Sequence, residues 1–247
     1  MQTIGLIAAT RQESDAVLRH IQSWDWFAAG LYSGKRFALS GQTCLLVTSG
    51  MGVRRASEAA RFLVGKHAVQ TLVSFGIAGA VETDLRIGDV ITAEAVCRLE
   101  QGVPGPRLPL AAWPETAREA AAQALSRRGA RLLPGTAVTT GGAQVINYRP
   151  GELMHPILEM ETAAIAQVAV ENEVPLFSLR AISDCPSEPI PFDLGEIMDD
   201  NANPRAGRLL KAIARHPRVI FQFGRFARNT RIAASNVATA LMAALSQ

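Results

Sequence analysis

Glu159-Met160-Glu161 is followed, after an Ala-rich stretch and a short apolar run, by Ser183-Asp184 in the segment LEMETAAIAQVAVENEVPLFSLRAISD. This puts two acidic groups of different character at the ends of consecutive elements, where they can converge. An ionised Glu accepts two hydroxyl hydrogen bonds at once, which suits a sugar diol. An Asp just past an apolar strand is open to desolvation, which raises its pKa towards that of a proton donor. A diol clamp beside a proton donor is the equipment for cleaving a glycosidic bond.

The elements that must position these groups alternate between apolar β-rich runs and Ala-rich helical patterns. IGLIAA (4–9) reads as a strand, followed by an amphipathic stretch over 14–22. Short strands are expected at 37–39 and 44–48, then a turn, SGMG (49–52), and a helix over 54–67 with Ala59, Phe62 and Leu63 on one face. TLVSFG (71–76) reads as a buried strand running into a small-residue loop, IAGA (77–80). A strand over 90–99, a Pro/Gly loop over 102–109, a helix over 115–127 and a strand over 136–140 follow. The LEMETAAIAQVAVENE stretch reads as a helix and LFSLRAIS as the last core strand. Residues 191–204 read as a loop or lid, and the tail as two helical patterns broken at His216-Pro217. Such alternation favours an α/β sheet, mixed or parallel, covered by helices.

The bulk numbers fit a chain with one α/β domain or two small ones: 247 residues, 48% hydrophobic and 19% charged. No apolar run approaches the roughly 20 residues of a membrane span. The start, MQTIGLIAAT, lacks a basic leader and a cleavage site, and so reads as a first strand. Three cysteines without CxxC spacing and four scattered histidines predict neither a disulfide framework nor a metal site. The expected setting is the cytoplasm. Residues 201–247 carry eight Lys or Arg and no acid, so the net charge of +3 leaves about −5 on the preceding body.

Two small-residue turns follow strands. SGMGVRR (49–55) exposes backbone N–H groups that suit an anion or a sugar hydroxyl, although Arg55 stands where a dinucleotide fingerprint needs Gly. GIAGA (76–80) lets a ligand approach backbone closely. Taken in order, IGLIAATRQES, SGMG, SFGIAGAVETDLRIGDVI, LEMETAAIA and SLRAISD resemble the nucleoside phosphorylase/nucleosidase superfamily over about residues 4–190. The methylthioadenosine/S-adenosylhomocysteine nucleosidase branch is the nearest core.

The resemblance implies a single three-layer α/β domain with a twisted mixed sheet. Residues 1–200 would form the catalytic domain, and 201–247 a basic helical extension packed on or near it. It implies that Asp184 protonates or hydrogen-bonds purine N7 and favours a 6-amino group, hence adenine. Glu161 would bind the ribose 2′- and 3′-hydroxyls, with Met160 against the ribose face and Glu159 at the same site. Glu13 would activate the attacking water. Ala78, Gly79, Val145 and Ile146 would contact the base; Val145 stands where the family places an aromatic, with Tyr148 as its substitute.

Water and phosphate both remain open as nucleophile. Arg11, Ser49 and Arg54 lie near the loops that hold phosphate in the phosphorylases, but Ser74 and Ile77 stand where those enzymes carry an Arg and a Ser or Thr. The tail is similar to the C-terminal region of hopanoid-associated phosphorylases, which implies a phosphorolytic alternative acting on an adenosyl-lipid. A basic amphipathic segment over 205–231 is suited to an anionic membrane surface. No nucleic-acid module is present. The expected activity is release of adenine from a 5′-substituted adenosine by a homo-oligomer, with no cofactor beyond phosphate in the phosphorolytic case. A catalytically silent nucleoside- or membrane-binding protein on the same fold is the rival of a different class.

Overall fold

The computed structural model describes residues 2–29, 32–141, 152–186 and 219–247. The first half runs β1 (Thr3–Ala8), α1 (Arg11–Leu18), β2 (Asp25–Ala29), β3 (Tyr32–Leu39), β4 (Gln42–Thr48), α2 (Val53–His67), β5 (Thr71–Ala80) and β6 (Val90–Glu100). Then come β7 (Val103–Pro104), β8 (Leu108–Pro109), α3 (Glu115–Ser126) and β9 (Leu132–Thr139). The chain closes with β10 (Pro156–Glu159), α4 (Thr162–Glu171), β11 (Leu176–Asp184) and α5 (Val219–Leu245).

β1 and β5 are apolar on both faces and buried along most of their length, the pattern of central parallel strands. They lie side by side in a mixed sheet of order β10-β9-β6-β11-β5-β1-β4-β3-β2. β1 pairs β4 and β5 in parallel, β5 pairs β11 in parallel, and β11 pairs β6 antiparallel. β10 pairs β9 in parallel and also β5 antiparallel, so β5, β11, β6, β9 and β10 close into a ring. One face is covered by α1, α3 and α5, whose Val17, Leu125, Val237 and Leu241 join β1 and β5 in the main core. The other is covered by α2 and α4 through Ala59, Leu63, Ile165 and Val168. This is the mixed, helix-covered, three-layer α/β domain that the sequence predicts.

Several local expectations change. IAGA is no loop: 77–80 continue β5, because both edges of this stretch are paired, to β11 and to β10. Leu158 and Glu159 are strand rather than helix, and α4 starts only at Thr162. The 102–109 stretch folds back on β6 as two two-residue strands instead of an open loop. The boundary drawn at residue 200 isolates no second core, since Ala233, Val237, Leu241 and Leu245 of α5 are buried in the main one. Among the described residues of the tail, the basic character lies on the first part of α5, where Arg225, Arg228 and Arg231 are exposed. Among the described residues no helix is long and apolar enough to cross a membrane. Cys44, Cys97 and Cys185 are buried.

Candidate active site

The carboxylates singled out by the sequence are brought to one end of the sheet. Glu13 is the third residue of α1 and closes a capping box with Thr10. Its Oε2 accepts from the Thr10 N–H at 2.7 Å and the Thr10 hydroxyl at 2.8 Å. Its Oε1 accepts from the Ile77 N–H at 2.9 Å, which ties α1 to β5. The carboxylate is 3% exposed and lies directly over Gly76, where a Cβ would collide with it. The Arg180 guanidinium lies over the same glycine, 3.1 Å from where that Cβ would stand. The pattern Thr10-x-x-Glu13, which was not used in reading the sequence, is the signal that could have shown this anchoring.

Glu161 occupies the cap position of α4 yet makes no side-chain cap bond there. Its carboxylate reaches across to the turn before α2 instead and accepts from the Gly52 N–H at 2.8 Å. Burial, then the neighbouring Glu159 charge, push its pKa up to about 7, against the pull of Arg180 and the Gly52 N–H. Met160, half-buried, sits between the two glutamates at the β10–α4 junction.

Glu159 is at the site, but not as a group a ligand can touch. Its side chain is fully enclosed. It accepts from the Thr139 hydroxyl, from the backbone N–H groups of Glu161 (3.0 Å) and Thr162 (2.8 Å), and from the Thr162 hydroxyl (2.7 Å). Arg180 Nη2 completes the set at 3.0 Å. Burial opposes its ionisation, but Arg180 and the hydroxyl donors prevail and hold its pKa below the usual carboxylate range. Glu159 thus stands at the site but is enclosed by protein, with four donors on Oε2 and the Thr139 hydroxyl on Oε1. Arg180 also donates to Ser74 Oγ at 2.7 Å and Thr162 Oγ1 at 2.9 Å. Thus Ser74, at a phosphorylase arginine position, serves here as an acceptor for Arg180.

Asp184 ends β11. The register of β11 on β5 shifts between Ile182 and Asp184, so that Ser183 is the extra residue of a bulge and Asp184 falls opposite Gly79. Bulges re-aim side chains in this way. The carboxyl lies over Gly79, whose added Cβ would come within 2.6 Å of Oδ2. Ser183 Oγ donates to Oδ1 at 2.7 Å. Burial pushes the Asp184 pKa up and so favours the neutral acid; the Ser183 hydrogen bond only partly counters it. Gly76 and Gly79 are three residues apart on β5, so the Glu13–Arg180 end and the Asp184 end are separated by about 10 Å along the strand.

Ala78 is buried and Gly79 half-buried on the same strand, next to Asp184. Val145, Ile146 and Tyr148 lie outside the described residues. The three phosphate candidates, Arg11, Ser49 and Arg54, lie at or beside the turns that follow β1 and β4. Ser49 donates to the Ala8 and Gly50 carbonyls, at 3.3 and 2.8 Å. Arg54 pairs with Glu58 at 2.9 Å on the surface, and Arg11 is exposed at the start of α1. Ser49 and Arg54 line a polar cleft of about 300 Å³ together with Tyr32, Ser33, Thr48, Arg55 and Glu58. Among the described residues, the group able to hold a cation is Glu82, Asp84 and His155, none of them a site carboxylate. Thr139, Thr162 and Arg180 were given no role from the sequence, although Arg180 stands inside the RAISD motif.

The chain is similar to a 5′-methylthioadenosine/S-adenosylhomocysteine nucleosidase of Shewanella denitrificans, 30% identical over 208 residues, covering 77% of this chain and 89% of the relative. Its fold is shared by the nucleosidase of Neisseria meningitidis solved with methylthio-immucillin-A, at a TM-score of 0.70 and 20% identity, covering 100% of this chain and 99% of that one. It is shared equally by a futalosine hydrolase mutant of Helicobacter pylori, at a TM-score of 0.69 and 17% identity, with 99% and 98% covered. These matches extend over α5, so that helix belongs to the shared fold. A family model described as the phosphorylase superfamily matches residues 3–215, most of the 247-residue chain, and on that match the chain belongs to the phosphorylase superfamily.

Proposed function

We propose that this protein hydrolyses the N-glycosidic bond of a 5′-substituted adenosine and releases adenine. The observation that carries the reading is that Glu13, Glu161 and Asp184 lie at one end of the sheet, Glu13 tied to Ile77 of β5, Glu161 to Gly52 before α2, and Asp184 over Gly79. Asp184, held towards its neutral form by burial, donates a proton to N7 of the base and so makes it a better leaving group. Glu161, when ionised, accepts both ribose hydroxyls. As the bond from C1′ to the base breaks, the sugar gains oxocarbenium character, and the Glu13 and Glu161 carboxylates stabilise the positive charge. Glu13 accepts a proton from the water whose oxygen bonds to C1′ and then releases it to solvent, and solvent returns the proton lost by Asp184. The nucleosidase relative supports this chemistry, and its name directs the choice of 5′-thioether nucleosides as first substrates.

The test is adenine release from 5′-methylthioadenosine and adenosine, each with and without phosphate. Release at equal rates in both buffers is expected. Release only with phosphate would establish the phosphorolytic alternative, and no release from either nucleoside would overturn the reading. Two finer points belong to the same proposal, homo-oligomer formation and contact of the exposed Arg225, Arg228 and Arg231 face with anionic bilayers. Light scattering checks the first. Sedimentation with phosphatidylserine vesicles, lost when the three arginines become Glu, checks the second.

A further inference from the structure

A helix that starts inside a protein must satisfy its first backbone N–H groups, and the side chain at the cap position ordinarily does this. In α4 that position is Glu161, whose side chain points away to Gly52. The work is done from elsewhere. Glu159 takes the N–H groups of Glu161 and Thr162. Thr139 Oγ1, on β9, takes the N–H of Ala163 at 2.9 Å while its proton goes to Glu159. The same Glu159 carboxylate pairs with Arg180, which lies beside Glu13 over Gly76.

We infer that Glu159 and Thr139 are positioning residues: by capping α4 and holding Arg180, they release the Glu161 carboxylate from cap duty and leave it facing the ribose. The inference rests on the proposed role of Glu161 as the diol clamp. Its geometric core stands apart from that role, because a fully enclosed carboxylate with five protein donors presents no surface to a substrate. The two glutamates thereby divide the labour of one cap residue, one neutralising the helix start and the other presented to the ligand. Their charges are also linked. The groups that act on Glu161 are Glu159 on β10, Arg180 on β11, Glu13 on α1 and the Gly52 N–H before α2. Removing the Glu159 charge withdraws one repulsion and leaves Arg180 to favour ionised Glu161, so both changes act in one direction.

The experiment uses Glu159→Gln, Thr139→Val and Thr139→Ser in the full chain. Side-chain carboxyl ¹³C titration of the ligand-free protein, with Glu161 assigned by Glu161→Gln, reads the midpoint without substrate. Glu159→Gln is expected to move it from about 7 towards acid, by about one pH unit or more. Thr139→Val is expected to raise KM by about tenfold with kcat changed less, and to speed amide exchange at Thr162 and Ala163. Thr139→Ser, which keeps the hydroxyl, restores both. An unmoved Glu161 midpoint in Glu159→Gln, or a Thr139→Ser variant no better than Thr139→Val, would overturn the inference. If the wild-type protein releases no adenine, the functional reading fails, while the titration and exchange arms still decide the division of labour.

Discussion

Glu161→Gln should make this protein more stable at alkaline pH while disabling it. The buried Glu161 carboxyl is pushed from the ordinary 4.5 up to about 7. A carboxyl with a raised folded pKa binds its proton more tightly folded than unfolded. Stability is therefore fullest below the unfolded pKa and declines as pH rises through the folded one. At about 1.4 kcal/mol per pH unit, the gap corresponds to roughly 3 kcal/mol that wild type lacks above neutrality. Gln resembles the neutral acid and still accepts from the Gly52 N–H, so the variant avoids that penalty. For a domain of this size each kcal/mol is worth about 2–4 °C in Tm. Thermal melts of both proteins at about pH 8.5 and about pH 5 should show a gain of several degrees at the higher pH and little at the lower. Asp184 has the same sign of shift, but it is present in both proteins and cancels in the difference. A variant no more stable than wild type at alkaline pH, or a gain that is independent of pH, would refute the argument. Loss of the diol clamp alongside a gain in stability is the trade expected of a strained functional group.

Asp184→Asn removes the proton donor and should lower kcat by about 10²–10⁴-fold with the fold intact, as circular dichroism would confirm. In wild type, kcat should fall as pH rises through the elevated Asp184 pKa, and stopped-assay profiles of Asp184→Asn should lack that alkaline limb. Gly79→Ala places a Cβ within 2.6 Å of Asp184 Oδ2 and should reduce turnover more than it reduces Tm; a normal kcat would show that this carboxyl need not sit where it does. Leu241→Ala, in the buried half of α5, should destabilise the fold by about 2–5 kcal/mol in urea unfolding.

Much of the site was legible because its motifs are local. EME and RAISD each place their carboxylate at an element end, and Thr10-x-x-Glu13 carries its own anchor in sequence. What was not legible depends on partners far along the chain. Arg180 draws its meaning from Ser74, Glu159 and Thr162, and Thr139 from Ala163, and no periodicity announces those contacts. The elements show the same division. α2 has a strong apolar face and was read to within a residue at its start. β10 was read as helix because Leu158-Glu159 leads straight into an Ala-rich run; pairing to β9 and β5 overrides that local preference. The charges of the tail suggested a basic extension packed on or near the core; the apolar stretch Ala233–Leu245 is part of that core.

The closed ring of β5, β11, β6, β9 and β10 bears on how this protein can move. Gly76, Gly79, Thr139, Glu159, Arg180 and Asp184 all lie on strands of that ring. A strand in a closed ladder has no free edge to fray from, so its amides exchange only when a whole cooperative unit opens. Asp184, and the strand groups that hold Glu13 and Glu161 in place, are thereby set in the least labile part of the molecule, while Glu13 and Glu161 themselves stand on α1 and at the start of α4. Deuterium uptake should be slowest across these strands and faster at β2, which ends the sheet on its other side. The constellation is thus fixed before any nucleoside arrives, and adaptation to different 5′ groups falls to segments outside the ring.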